Sequence, residues 1–219
     1  MNARKQFDEE LQALSDSLIK MGETANTAID RAITALLTSD RALAQQVVDE
    51  DDLMDDMERS IEQACWRLLL KQQPVAGDLR KISTASKMVS DIERIGDAAA
   101  DIAEISLYLS SPMFPEIEED LKAMATAAKD MATSAIRAYV EEDLELAKST
   151  QEKDDIVDDY FLTIRAVLGE KIRTDASLMN AALDYVMIIK YLERVGDHAE
   201  NICEWVEFYK TGKRKNYSM

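Results

Sequence analysis

Apolar residues recur along this chain at steps of three and four positions, the spacing that places them on one face of an α-helix. The clearest stripe runs through the middle of the chain, at Ile82, Ala85, Val89, Ile92, Gly96, Ala99 and Ala103. No stretch of useful length alternates apolar and polar residues as a half-buried β-strand would. The pattern therefore predicts an all-α protein in which each helix buries one apolar face.

Turn-forming residues divide these stripes into six predicted helices. Ser39 is predicted to cap the second helix. The segment 71–78 contains a proline and a glycine and is predicted to be a loop. The segment 111–115 contains two prolines and is predicted to link the halves. The predicted helices lie at about 7–37, 40–71 and 79–110, and then at about 116–141, 143–170 and 176–210.

The second half of the chain repeats the first. A shift of 103 positions places DDLMDD at 51–56 over DDIVDD at 154–159. A shift of 100 positions places ERIGDAAADI at 93–102 over ERVGDHAENI at 193–202. We therefore predict two tandem up-down-up three-helix bundles related by internal duplication. The predicted units are a first bundle at 1–111, a second bundle at 116–212 and a basic tail at 213–219.

Each half carries acidic side chains at four-residue spacing on two neighbouring predicted helices. Each step of four residues moves about 40° around the helix, so each set forms a ladder along one flank. Like charges at this spacing repel by roughly 0.2–0.5 kcal/mol per pair, a cost that a bound cation would reverse. The predicted metal ligands are Asp51, Asp55, Glu93, Asp97 and Asp101 in the first half, and Asp154, Asp158, Glu193, Asp197 and Asn201 in the second.

A set of oxygen ligands with almost no histidine suits hard cations such as Mg²⁺, Mn²⁺, Ca²⁺ or Fe³⁺. The alternative is an acidic face that is merely solvated, but the recurrence of the pattern in both halves favours metal. Gly96 and Gly196 are expected either to allow close helix packing or to leave room for an ion. Arg94 and Arg194 are expected either to pair with the aspartate three residues further on, holding that carboxylate in place, or to have a plain surface role.

The composition argues against several classes of function. A net charge of -17 does not suit a nucleic-acid partner, and the basic run at 210–215 is more simply a solvated tail than a binding patch. The single histidine, His198, weakens Ser-His catalysis and argues against a ferritin-like di-iron oxidase. Two distant cysteines, no signal peptide and no apolar span indicate a cytoplasmic protein.

The motifs resemble those of the PhoU family of bacterial phosphate-signalling regulators. The resemblance covers nearly the whole chain and rests on the doubled ER[IV]GD…[DN]I, the paired DxxxD, and QPVAGDLR at 73–80. It implies two three-helix bundles with multinuclear clusters of metal ions, such as iron, zinc, manganese or magnesium, on the acidic motifs. It also implies a cytoplasmic, non-enzymatic role, often as a homodimer, in repressing the phosphate-starvation response. In that role the protein links a phosphate ABC transporter ATPase to a sensor histidine kinase, and it meets the membrane only through its partners.

The residues leave two other functions open. A metal-dependent enzyme or a metal store could use the same carboxylates, and a purely structural bundle could carry acidic faces without binding metal. The halves also differ, because Ala98 and Asp101 correspond to His198 and Asn201. The two sites are therefore predicted to differ in the number of ions or in strength.

Overall fold

The computed structural model describes residues 3–71, 74, 76–109 and 114–213. Most of the predicted linker and the predicted tail from residue 214 onward lie outside these residues. Two 3-10 turns, Pro115–Ile117 and Ala176–Leu178, precede the fifth and the last helix. The α-helices of the described part are α1 (Ala3–Thr38), α2 (Arg41–Asp49), α3 (Asp52–Lys71), α4 (Ala76–Tyr108), α5 (Glu118–Glu141), α6 (Leu144–Gln151), α7 (Asp154–Thr174) and α8 (Met179–Thr211).

The two halves have the same arrangement of helices, which confirms the all-α duplicated fold. In the first half α1, α3 and α4 pack on one another, and in the second half α5, α7 and α8 do the same. The halves also pack together, α1 along α5 and α4 along α8, so the buried apolar side chains form one continuous core. All seven apolar positions predicted along α4 are buried. None of the described helices is both long enough and apolar enough to cross a membrane.

The second predicted helix of each half is interrupted by a short turn. α2 ends at Asp49 and α3 begins at Asp52, and the same break separates α6 from α7. On the first turn, Glu50 accepts a hydrogen bond from the Arg31 guanidinium of α1 at 3.2 Å. The structure agrees with the prediction of six helices if α2 and α3 are counted as one helix, and α6 and α7 as another. The turns place Asp51 and Asp154 at the entry to the long helices α3 and α7.

The helix cap predicted at Ser39 is wrong, because Asp40 caps α2. The Asp40 carboxylate accepts hydrogen bonds from the backbone N–H groups of Ala42 and Leu43, both at 3.0 Å. Ser39 instead closes the end of α1 in the left-handed conformation, with φ of 55°. In the second half Asp143 caps α6, its carboxylate accepting one hydrogen bond from the backbone N–H of Leu146 at 2.9 Å.

The loop predicted at 71–78 extends too far, because α4 already begins at Ala76. Gly77 and Asp78 therefore lie in its first helical turn. The Asp78 carboxylate accepts two hydrogen bonds from the Arg4 guanidinium, at 2.7 and 3.3 Å. An acidic side chain at this position also interacts favourably with the helix dipole, so the contact fastens the start of α1 to the start of α4.

Candidate metal centre

The first groove lies between α3 and α4, which run antiparallel. Ser90 of α4 donates a hydrogen bond to Glu58 of α3 at 2.8 Å, whereas Gly96, further along α4, faces Met54, nearer the start of α3. This register brings the acidic flanks of the two helices opposite each other. We define the first groove by its predicted ligands, Asp51, Asp55, Glu93, Asp97 and Asp101.

Three carboxyl groups of the first groove, those of Asp51, Glu93 and Asp101, have a raised pKa, mainly because they are partly or fully buried. Burial, together with the charge of Asp97, raises the pKa of Asp51. Glu93 is only 8% exposed, and burial and Asp97 raise its pKa to about 7 although Arg94 opposes the shift. Burial also raises the pKa of Asp101. A raised carboxyl pKa means that the negative charge is poorly compensated, so a cation would be favoured here.

Two carboxylates next to the first groove were missed by the sequence reasoning. Asp51, Asp97 and Asp101 share an open cleft of about 270 Å³ with Glu104. Glu58 lies close enough to Glu93 to raise its pKa further. Glu58 lies three residues after Asp55, and Glu104 three residues after Asp101. Side chains at this spacing are neighbours on a helix, so the sequence contained a signal for both glutamates.

The predicted arginine pairing is confirmed in the first half only. The Arg94 guanidinium donates to Asp97 at 2.7 Å and contacts the Glu93 carboxylate at 3.3 Å. Arg194 instead lies over the ring of Tyr191, 5.9 Å from its centre. Within the described part of the chain, Arg194 forms no ion pair with Asp197. The two grooves therefore have different electrostatic surroundings.

The second groove lies between α7 and α8 and is defined by Asp154, Asp158, Glu193, Asp197 and Asn201. Burial and the charge of Asp158 raise the pKa of Asp154 to about 6. A Cβ atom on Gly196 would lie 2.9 Å from an Asp154 carboxylate oxygen, so this glycine leaves room for a predicted ligand. A Cβ on Gly96 would instead lie 2.8 Å from Met54 Cγ, so that glycine serves helix packing.

The last predicted ligand of each groove contacts the opposite half of the molecule. Asp101 is hydrogen-bonded by Tyr191 of α8. At the equivalent position, Asn201 donates a hydrogen bond to Asp91 of α4 at 3.4 Å, and His198 Nδ1 lies 3.0 Å from the same oxygen. Sequence reasoning gave no role to Tyr191 or Asp91, because the packing of the halves is not encoded in either helix alone.

The donor set fits a hard cation in its chemistry, with oxygen ligands on facing helices and poorly compensated negative charge. In the residues that the structure describes, however, no three His, Cys, Asp or Glu side chains are close enough together to hold a metal ion. Ion binding therefore requires the carboxylates to turn toward one another by changes of side-chain rotamer. Metal ligation by these ten residues stays a prediction.

Comparison with known proteins identifies the family to which this chain belongs. The family model of the PhoU domain matches the chain twice, at residues 18–106 and 121–206. The chain belongs to the PhoU family. Each PhoU match contains the predicted ligands of one groove, in agreement with the duplication seen in the sequence.

The relatives match along almost their whole length. The phosphate-specific transport system accessory protein PhoU homolog 1 of Thermotoga maritima is 36% identical, covering 94% of this chain and 90% of its own. The corresponding PhoU homolog of Clostridium acetobutylicum is also 36% identical, covering 96% and 97%. The crystal structure of PhoU from Pseudomonas aeruginosa is 34% identical, with a TM-score of 0.88 over 94% of this chain and 100% of that one. The PhoU fold thus extends over both halves.

Proposed function

We propose that this chain is a non-enzymatic regulator of phosphate uptake that represses the phosphate-starvation response when phosphate is abundant. The observation that carries the proposal is similarity over nearly the full length to proteins named as accessory proteins of phosphate-specific transport systems. The chain would act in the cytoplasm as a homodimer, with no nucleic-acid partner. It would link the ATPase of a phosphate ABC transporter to a sensor histidine kinase, and would reach the membrane only through these partners.

The two grooves are proposed to bind metal ions, of which iron, zinc, manganese and magnesium are the candidates. The ten predicted ligands would hold the ions, several carboxylates bridging more than one. The raised pKa values of Asp51 and Asp154 indicate that their negative charges are poorly compensated. A bound ion would supply the compensating positive charge. Since each groove is formed by two helices, ligation would fasten α3 to α4 and α7 to α8. The role of the metal is therefore proposed to be structural, shaping the surface offered to partners.

Capture experiments with purified partners test the regulatory proposal. The full chain, prepared metal-free or loaded with Mn²⁺, is immobilised and offered the transporter ATPase and the kinase separately. Capture of both partners is expected. Capture of neither, in either metal state, contradicts the proposal. Metal binding without partner capture favours the alternative of a metal store or a metal-dependent enzyme.

A reporter of phosphate starvation tests the same proposal in cells. A strain without this chain is expected to express the reporter even when phosphate is abundant, and the wild-type chain is expected to restore repression. Expression that follows phosphate normally in the absence of the chain would count against a regulatory role.

A further inference from the structure

We propose that the open apolar surface between α1 and α3, here called the helix-docking groove, binds a basic amphipathic helix of a partner protein. This docking role deepens the regulatory proposal above and rests on it, since a regulator that is not an enzyme acts by binding other proteins. It does not depend on metal binding. The second half carries different side chains at the equivalent positions, so the duplication provides a comparison within one molecule.

The helix-docking groove is an elongated surface cavity of about 680 Å³. Its floor contains the buried side chains of Leu14, Ile61 and Leu68. Small side chains on both helices border this floor, namely Ala13, Ser17, Ser60 and Ala64. Along α3 the lining extends from residue 53 to residue 68, which is about 22 Å or four helical turns. A long groove with an apolar floor and small residues at its edges suits the apolar face of a helix.

In the second half, larger side chains occupy positions equivalent to the lining of the groove. The shift of 103 positions places Tyr160 where Met57 stands and Val167 where Ala64 stands. Tyr160 and Val167 are both partly buried and pack against the core. Positions that line an open groove between α1 and α3 thus carry bulkier, core-packed side chains between α5 and α7.

An ion pair joins two further equivalent positions of the second half. The same shift places Lys171 where Leu68 stands and Glu116 where Ala13 stands. The Lys171 ammonium donates a hydrogen bond to the Glu116 carboxylate. Since Leu68 and Ala13 line opposite sides of the groove, this ion pair bridges the equivalent gap. The apolar, unbridged surface at these positions is therefore specific to the first half.

The two sides of the helix-docking groove are acidic. The segments that form them, 9–23 of α1 and 52–68 of α3, contain nine acidic and three basic side chains. Two of the three basic side chains line the groove itself, one on each helix. Glu9, Asp16 and Glu23 are exposed and seven residues apart, and each is three or four residues from a lining position, so they follow the edge of the groove. This local excess and the net charge of -17 favour a basic helix and disfavour a second copy of this chain.

Binding of a fluorescent peptide to the metal-free full chain, measured by anisotropy near physiological salt with a chelator present, tests the docking role. The probe is a peptide of about 18 residues, long enough to span the groove, with leucine at heptad positions a and d and lysine at e and g. It is expected to bind about tenfold or more tightly than a peptide of the same composition in scrambled order. Equal binding of the ordered and scrambled peptides overturns the inference, since charge alone would then account for it. Binding of an ordered peptide with glutamate in place of lysine as tightly as the lysine peptide overturns the choice of a basic partner.

The repeat supplies a variant that fills the groove without changing its charge. Met57→Tyr combined with Ala64→Val installs the second-half residues and is expected to weaken binding of the lysine peptide about tenfold. Circular dichroism checks that this variant is folded, and Ala64→Val alone replaces it otherwise. Undiminished binding by a folded variant overturns the inference.

A second pair of variants tests the acidic edge. Asp16→Asn combined with Glu23→Gln is expected to weaken binding of the lysine peptide about three- to tenfold. Asp155→Asn combined with Asp159→Asn removes the same charge from the exposed surface of α7 and is the matched control, with binding unchanged. An equal loss from both double variants would show attraction by the overall charge and would overturn the assignment to this groove.

Two further outcomes separate this docking role from its alternatives. If the wild type sediments as a dimer and Met57→Tyr combined with Ala64→Val dissociates it, the groove is an interface between copies of this chain, and the inference is overturned. A chain that captures the transporter ATPase and the kinase but binds no lysine peptide overturns the inference and leaves the regulatory proposal intact. Peptide binding in the groove without capture of either protein supports the docking site and counts against the proposed partners.

Discussion

Within the first groove, the buried carboxyl group of Glu93 is the one whose negative charge is most destabilised by its surroundings. Burial and Asp97 raise its pKa from 4.5 to about 7. The folded chain therefore binds a proton more readily than the unfolded chain between about pH 4.5 and about pH 7. In that window the free energy of unfolding falls as the pH rises, because folding keeps a carboxylate away from water. Above about pH 7 the Glu93 carboxyl group is ionised in the folded chain as well, so the stabilisation that came from its protonated form is no longer present.

Glu93→Gln is expected to stabilise the metal-free protein at about pH 8 by up to about 2 kcal/mol and to change little at about pH 5. The neutral amide removes the buried charge but keeps the size of the side chain. Urea unfolding at the two pH values, with a chelator present, measures the difference. Glu193→Gln is the matched control, and because Lys190 already pairs that carboxylate, it is expected to be neutral or destabilising. An equal gain from both variants would contradict the account of Glu93.

The two helix glycines are expected to respond differently to alanine. An alanine gains roughly 1 kcal/mol of helix propensity at either position. At position 96 the new Cβ meets the Met54 side chain, and overpacking is expected to leave Gly96→Ala destabilising by about 1 kcal/mol. At position 196 it meets the Asp154 carboxylate, so Gly196→Ala is expected to keep its stability and lose Mn²⁺ affinity. Thermal unfolding and Mn²⁺ titration of both variants distinguish the two cases, and identical behaviour would contradict them.

The acidic ladders could be predicted from the sequence because they depend only on helix periodicity. The spacing of four residues placed Asp51 and Asp55 on the flank of their helix, and the structure finds both partly buried while Asp52 and Asp56 are exposed. The contact of Lys190 with the Phe161 ring of α7 was beyond such reasoning. It depends on the register between two helices, which the pattern within one helix does not fix.

At the scale of the element, the interruption of the second helix is the feature that sequence reasoning missed. The segment 48–54 contains neither glycine nor proline, so local propensity gave no reason to end a helix there. The break is supported by tertiary contacts, among them the pairing of Arg31 with Glu50. Because Asp51 lies in this turn, the interruption determines the position of Asp51 at the end of the first groove.

The cap of α2 gives a prediction on the same scale. Asp40→Ala is expected to destabilise the protein by about 1 kcal/mol, because two backbone N–H groups lose their acceptor. Ser39→Gly is the matched variant, expected to stabilise by roughly 0.5–1 kcal/mol since glycine adopts the left-handed conformation without strain. Chemical unfolding measures both. Were Ser39→Gly the more damaging substitution, the serine would be the cap after all.

At the scale of the whole molecule, the duplication predicted the fold but not the packing of its halves. Equivalent motifs at two offsets indicated two like bundles, and the structure has them. The contact of α4 with α8 depends on surfaces that each bundle would otherwise leave exposed. Through it, Tyr191 reaches the first groove and Asp91 reaches the end of the second. Such reciprocal contacts arise only when both halves are present.

The excess of negative charge gives the last prediction. The chain has 43 acidic and 26 basic side chains, so 17 negative charges remain even if every basic group is paired. Raising NaCl from about 20 mM to about 500 mM shortens the screening length from roughly 20 Å to roughly 4 Å, which weakens this repulsion. The melting temperature of the metal-free protein is expected to rise by about 2–4 °C.

Mn²⁺ at matched ionic strength is expected to raise the melting temperature further, because an ion held between two helices stabilises the folded state alone. The double variant Glu93→Gln with Glu193→Gln serves as the control. It should keep the response to NaCl and lose the additional effect of Mn²⁺, since the general repulsion is spread over the surface and the specific effect belongs to the grooves. A melting temperature that falls with NaCl would show that surface ion pairs contribute more than the general repulsion. If the double variant kept the full effect of Mn²⁺, the ion would act only by general screening and not by binding in the grooves.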